Sequence, residues 1–147
     1  HDALPISQRE FSDMFNLPYH SVCTTSTHDM TPLRNWWKED PEKTQRYYNH
    51  VLQRIGEAPD ECTAEIVAQI ISNHLKTRSM LTIIPLQDWF AMDDSIKRKD
   101  IESERINVPA NSTHYWRYRM HITLEQLLQA DNLNNKIVSL IKEAGRK

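Results

Sequence analysis

The chain has 147 residues, 39% of them hydrophobic and 26% charged, with a formal net charge of −2. That balance suits one ordinary domain, or a piece of a larger one, with enough apolar material for a core. The slight negative charge gives no basic footprint for nucleic acid, and no apolar run is long enough to span a bilayer.

Some chemistry is excluded by counting. Cys23 and Cys62 are too few for a cysteine-rich metal site and read as two buried free thiols of a reducing, cytoplasmic compartment, with a disulfide as the alternative. Glycine occurs only at Gly56 and Gly145, so glycine-rich phosphate loops and dinucleotide fingerprints are absent. No signal-peptide pattern opens the chain, which begins at His1 without a methionine.

In chain order, residues 7–15 read as a short helix opened by Ser7. Residues 20–26, HSVCTTS, are rich in β-formers and read as a strand. Asp40 followed by Pro41 is a helix entry, and that helix is expected to run to about Arg54 with Gly56 as its terminal cap. A second helix is expected from about Asp60 to Thr77, because Cys62, Ile66, Val67, Ile70, Ile71 and Leu75 recur at three-to-four spacing. Residues 81–86, LTIIPL, form a short β-branched apolar run, expected as a strand buried on both faces. Residues 92–122 are polar and aperiodic, a long connection of the kind that is usually either functional or disordered. Thr123 and Gln126 form a capping box, and Asp131 starts a last helix carrying Leu133, Ile137, Leu140 and Ile141 up to Gly145.

Strands separated by helices predict an α/β fold with parallel strands, in which functional groups lie past the strands' C-terminal ends. Two polar clusters meet that description: Thr27-His28-Asp29 after the first strand and Gln87-Asp88-Trp89 after the second. Asp29 and Asp88 can be paired carboxylates for glycoside chemistry, or Asp29 can simply cap a helix starting at Thr31. His28 is a candidate for contacting a substrate hydroxyl, or a plain structural histidine. Trp36, Trp37, Trp89, Tyr115, Trp116 and Tyr118 are candidate sugar-stacking surfaces or core aromatics. The loop segment SERINVPANSTHYWRYRM, with Glu104, Arg105, Asn107, Arg117 and Arg119, reads either as a wet loop or as a polar network holding a site's rim.

Taken in order, STHDM…NWW, IIPLQDWF and ESERINVP…YWRYR resemble the C-terminal part of the 4-α-glucanotransferases, the amylomaltases and disproportionating enzymes of glycoside hydrolase family 77. The resemblance spans roughly residues 17–130. Met30, where the commoner form of the family has Asn, is similar to the family's larger branch, which carries N-terminal carbohydrate-binding modules. Pro109-Ala110-Asn111 departs from the Pro-Gly of many relatives.

The resemblance implies the C-terminal portion of a (β/α)8 barrel, with residues 20–26 and 81–86 as its seventh and eighth strands and residues 1–147 as one fragment of the catalytic domain. It implies retaining transfer of α-1,4-glucosyl units between maltose, maltodextrins or glycan, without cofactor or metal, in the cytoplasm, with neither nucleic acid nor membrane as partner. Asp29 matches the carboxylate that stabilises the transition state. His28, Asp88 and Asn107 match substrate-binding or rim positions. Neither the nucleophile nor the acid/base motif of the family is present, so the isolated chain is expected to need the remainder of the barrel and to be inactive alone. The competing reading is a non-catalytic helical carbohydrate-binding or interaction domain. A weaker one is a self-contained hydrolase using Asp29 and Asp88.

Overall fold

The computed structural model describes residue 11 and residues 13–146. The helix expected from Ser7 falls mostly outside the described residues. Within them, a 3-10 turn spans Met14–Asn16, and the Asp13 carboxylate accepts from the backbone N–H of Phe15.

Strand β1 (Val22–Thr24) is followed by helices α1 (Leu33–Glu39), α2 (Pro41–His50) and α3 (Ala64–Leu75), then by strand β2 (Leu81–Ile83). A short helix α4 (Leu86–Phe90) follows at once. After the long connection come α5 (Leu124–Leu128) and α6 (Asp131–Glu143). The two strands pair in parallel, with Val22 opposite Leu81, Cys23 opposite Thr82 and Thr24 opposite Ile83. Parallel pairing sends both C-terminal ends to one edge, so the segments after Thr24 and after Ile83 meet there.

The apolar stripe of α3 is the centre of the core. Ile66, Val67, Ile70 and Ile71 are at most 1% exposed, and they pack with Leu33, Trp37, Phe90, Met92 and Leu133. α3 starts at Ala64 rather than at Asp60 because the Thr63 hydroxyl accepts from the N–H of Ile66 and caps the first turn. Its far end is closed by Arg146, whose guanidinium donates to the carbonyls of Leu75, Thr77 and Ser79. The Leu75 carbonyl is one that a helix end leaves without a partner, and the other two belong to the turn that follows it.

α2 begins as expected, with Asp40 accepting from the N–H of Lys43 and Pro41 in the first turn. It stops at His50, short of Arg54. Side chains take over the carbonyls that a longer helix would use: Asn49 Nδ2 donates to Arg54 O and Gly56 O, and Gln69 Nε2 donates to Leu52 O. The chain then turns through Gln53 at φ 54°. The capping box forms in full, with Thr123 and Gln126 each accepting from the other's backbone N–H. Asp131 is the first residue of α6 and makes no side-chain cap, so its carboxylate acts only on the helix dipole.

Two expectations are corrected. LTIIPL is not one strand: only Leu81–Ile83 is extended, and Pro85 starts a helix where the run was expected to continue. Nor is that strand buried on both faces, for Leu81 and Ile83 are exposed, as is Val22 of β1. A two-stranded sheet has no neighbour for its outer positions. Among the described residues there is no closed barrel, only this parallel pair with helices packed beside it.

Candidate active site

β1 ends at Thr24 and the chain turns tightly at Thr27–Met30, where the Met30 N–H bonds to the Thr27 carbonyl at 3.0 Å. His28 and Asp29 are the two central residues of this turn and project from its tip, each about half exposed. His28 Nε2 lies 3.1 Å from Asp29 Oδ2. Asn107, brought in by the long connection, donates from Nδ2 to Asp29 Oδ1 at 2.6 Å. Each carboxylate oxygen therefore has one protein partner and one free lone pair, so the group is held in orientation yet still able to accept from a ligand's hydroxyls.

The ring of Trp116 sits 5.1 Å from that of His28, tilted by 48°, and its own face is open. Of the aromatics raised by the sequence, Trp37 is buried in the core, while Trp36 and Trp89 pack partly buried against it. Trp116 is the one in ring contact with the turn that carries Asp29. Beside the turn lies a cavity of about 470 Å³, lined from the β1 side by Val22, Thr24, Ser26 and His28, from the β2 side by Ile83, Leu86 and Gln87, and from the loop by Glu104 and Ile106. Of the His28–Asp29–Asn107 cluster, His28 lines this cavity, while Asp29 and Asn107 are not among its lining residues.

Asp88 is placed elsewhere. It is 1% exposed, and Thr25 Oγ1 donates to its Oδ2 at 2.5 Å while the backbone N–H of Leu33 donates to its Oδ1 at 2.9 Å. Ser26 Oγ adds a longer contact to Oδ2, at 3.4 Å. Asp88 is thus the cap of α1, reaching across from α4, and its side chain does not line the cavity. Burial pushes its carboxyl above the usual range, opposed by these donors. This placement puts Asp88 behind the site, as a support for the segment that carries the Asp29 turn. Asp29 in turn does not cap α1, whose N-terminal residue Pro32 makes no side-chain cap.

A second polar group lies beneath the site. Arg34 of α1 is buried, 3.4 Å from Glu104 Oε1, and donates to the Arg98 carbonyl at 2.7 Å. Asn35 donates to Glu102 at 3.0 Å, and Gln87 Nε2 donates to the Glu104 carbonyl at 3.1 Å. Burial raises the Glu104 carboxyl to about 7, despite the Arg34 charge beside it. Of the two sequence readings of this loop, the polar network is the one observed. Its signal in the sequence was Arg34, a charge between the apolar Leu33 and Trp37 of one short helix, which demands a buried carboxylate partner. Among the described residues no cluster of His, Cys, Asp and Glu suits a metal ion.

The family model described as 4-alpha-glucanotransferase matches residues 4–125. The chain belongs to this family. Among curated glucanotransferases it is 38% identical to the 4-alpha-glucanotransferase DPE2 of Oryza sativa subsp. japonica over 137 residues, covering 93% of this chain and 14% of that protein. To the 4-alpha-glucanotransferase of Chlamydia trachomatis serovar D it is 31% identical over 123 residues, covering 82% of this chain and 22% of that protein. The chain thus spans well under a quarter of these glucanotransferases' length. A solved amylomaltase from Streptococcus agalactiae, in complex with acarbose, superposes with a TM-score of 0.67 at 18% identity, over 91% of this chain and 23% of that one. This likeness shows the shared fold, and the motif order seen in the sequence agrees with the family match.

Proposed function

We propose that this glucanotransferase segment is the C-terminal part of a catalytic (β/α)8 barrel and that it supplies the transition-state-stabilising carboxylate, Asp29. The observation that carries this is the Asn107–Asp29–His28 cluster at the C-terminal edge of two parallel strands. Enzymes of this architecture place their chemistry at that edge.

The reaction is transfer of an α-1,4-linked glucosyl unit from maltose or a maltodextrin to another glucan. In the first step a carboxylate nucleophile bonds to the sugar C1 while the C1–O4 bond breaks, and an acid delivers a proton to the departing oxygen. In the second step an acceptor 4-hydroxyl bonds to C1, its proton passes to the same acid/base, and the nucleophile leaves. Nucleophile and acid/base come from other parts of the barrel. Asp29 accepts hydrogen bonds from the 2- and 3-hydroxyls of the donor sugar, and its charge faces the oxocarbenium-like ring. Because Asn107 and His28 already hold it, no reorganisation is needed when that charge develops. His28 contacts the same sugar, and the open face of Trp116 offers a stacking surface beside it. Two unpaired buried thiols, Cys23 and Cys62, support a cytoplasmic setting.

The test is glucose release and chain redistribution from maltose plus glycogen by the complete gene product and by its Asp29→Ala variant. Transfer lost by roughly a thousandfold or more, with folding intact, is expected. Retained transfer in Asp29→Ala overturns the role. Transfer by the isolated 147-residue chain overturns the reading of it as a fragment lacking nucleophile and acid/base.

A further inference from the structure

Asn107 is the loop residue that bonds Asp29, and Ile106 beside it lines the cavity with residues of both strands. The anchor lies three residues earlier. Glu104 is 2% exposed, receives Arg34 on its side chain and receives Gln87 on its carbonyl. Arg34 sits on α1, the helix that starts just after the Asp29 turn, and Gln87 sits on α4, the helix that starts just after β2. Glu104 thus ties the loop at once to both segments that follow the strands. Glu104 Oε2 has no hydrogen-bond partner among the described residues, so Arg34 on Oε1 is the side chain's hold and Gln87 is the main chain's.

We infer that Glu104 is a positioning residue for glucosyl transfer, acting through Arg34 and Gln87 to hold Asn107 against Asp29. Glu104 forms part of the cavity wall but, at 2% exposure, it is assigned to hold the loop rather than the sugar. This rests on the reading of Asp29 as the sugar-holding carboxylate. If the loop slackens, Asn107 Nδ2 moves off Oδ1, and Asp29 loses the partner that sets its orientation. Displacements of about an ångström at a site of this kind cost up to about a hundredfold in rate.

The experiment uses the complete transferase with Glu104→Ala, which removes the acceptor for Arg34, Asn107→Ala and the double variant. Two readouts are taken: transfer from maltodextrin, and hydrogen exchange of residues 105–110 by mass spectrometry. Glu104→Ala is expected to lower kcat roughly ten- to a hundredfold with KM within about threefold. It is also expected to speed exchange of the loop by about tenfold or more while leaving α3 protected. The double variant is expected to be no slower than Asn107→Ala alone within about twofold, because both changes remove one interaction. Losses that multiply overturn the inference, as does a loop whose exchange is unchanged. Should Glu104→Ala fail to fold, Arg34→Lys keeps the charge but removes the guanidinium fork, and the same outcomes decide. A wild-type enzyme without transfer would sink the functional reading, and loop exchange in the variants would still decide the clamp.

Discussion

Replacing Asp88 separates two roles that its position in the sequence leaves undivided. If Asp88 bound sugar, Asp88→Asn would raise KM and leave stability alone. The geometry says the reverse. Removing the carboxylate with Asp88→Ala strips the N–H of Leu33 of its cap, worth about 0.5–2 kcal/mol. It also leaves the hydroxyl of Thr25 without its acceptor, at about 1–3 kcal/mol for a buried donor. Relief of the carboxylate's own burial, the cause of its raised pKa, offsets part of this. A net loss of about 2–4 kcal/mol follows, or several degrees in the melting of the domain. Thermal unfolding and steady-state kinetics of the complete enzyme check it together. The expected result is a lowered melting temperature with KM for maltodextrin within about twofold in the protein that remains folded. A KM raised about tenfold with unchanged melting would refute the cap.

Three further outcomes follow from buried groups and the open aromatic. Glu104 has its carboxyl raised from 4.5 to about 7, so the folded state holds that proton more tightly. Its contribution to stability is then full below pH 4.5 and is lost as pH rises through 7, and the urea midpoint of the wild type should fall relative to that of Glu104→Gln across this window; parallel midpoints would show that Glu104 is not buried as described. Cys62 is buried and its thiol is pushed up to about 12, so iodoacetamide should leave it unmodified in native protein and label it on unfolding. Fast native labelling would contradict the packing of that segment. Trp116→Ala should raise KM for maltodextrin by about two- to tenfold, the worth of one stacked ring, with stability unchanged because the side chain is largely exposed. An unaltered KM would remove Trp116 from the sugar path.

Helices α2, α3, α5 and α6 were legible because they depend on local signals, and the parallel pairing followed from the order of strands and helices. The α3 stripe repeats at helical period and is buried residue by residue, and Thr123 and Gln126 form the box their spacing predicts. His28 and Asp29 were legible from their place after a strand, but their meeting with Asn107 was not, since nothing in spacing alone brings residues 78 apart into contact. Asp88 lies behind the site for a physical reason that its place after a strand does not reveal. Gln87 and Asp88 are neighbours in one helical turn and point roughly 100° apart, so one reaches the cavity lining while the other reaches the start of α1. The apolar run Leu81–Leu86 was misread because buried-strand composition states what a strand needs, not whether this chain provides it.

That last difference bears on how the site is held. Val22, Leu81 and Ile83 are about half exposed, and a two-stranded parallel sheet is marginal alone. If the strands alone set the site, the Asp29 turn would be only as well placed as that sheet. Instead the fixed points are buried and internal. Asp88 ties α4 to Thr25 and to the start of α1, closing the segment that contains the turn from below. Glu104, Arg34 and Gln87 close it from the loop side. Both ties connect the segments after the strands to each other rather than to the outer sheet positions. The orientation of Asp29 is then a property of this segment, and on the proposed reading the remaining strands add the nucleophile and the acid/base without having to build the carboxylate that steadies the transition state.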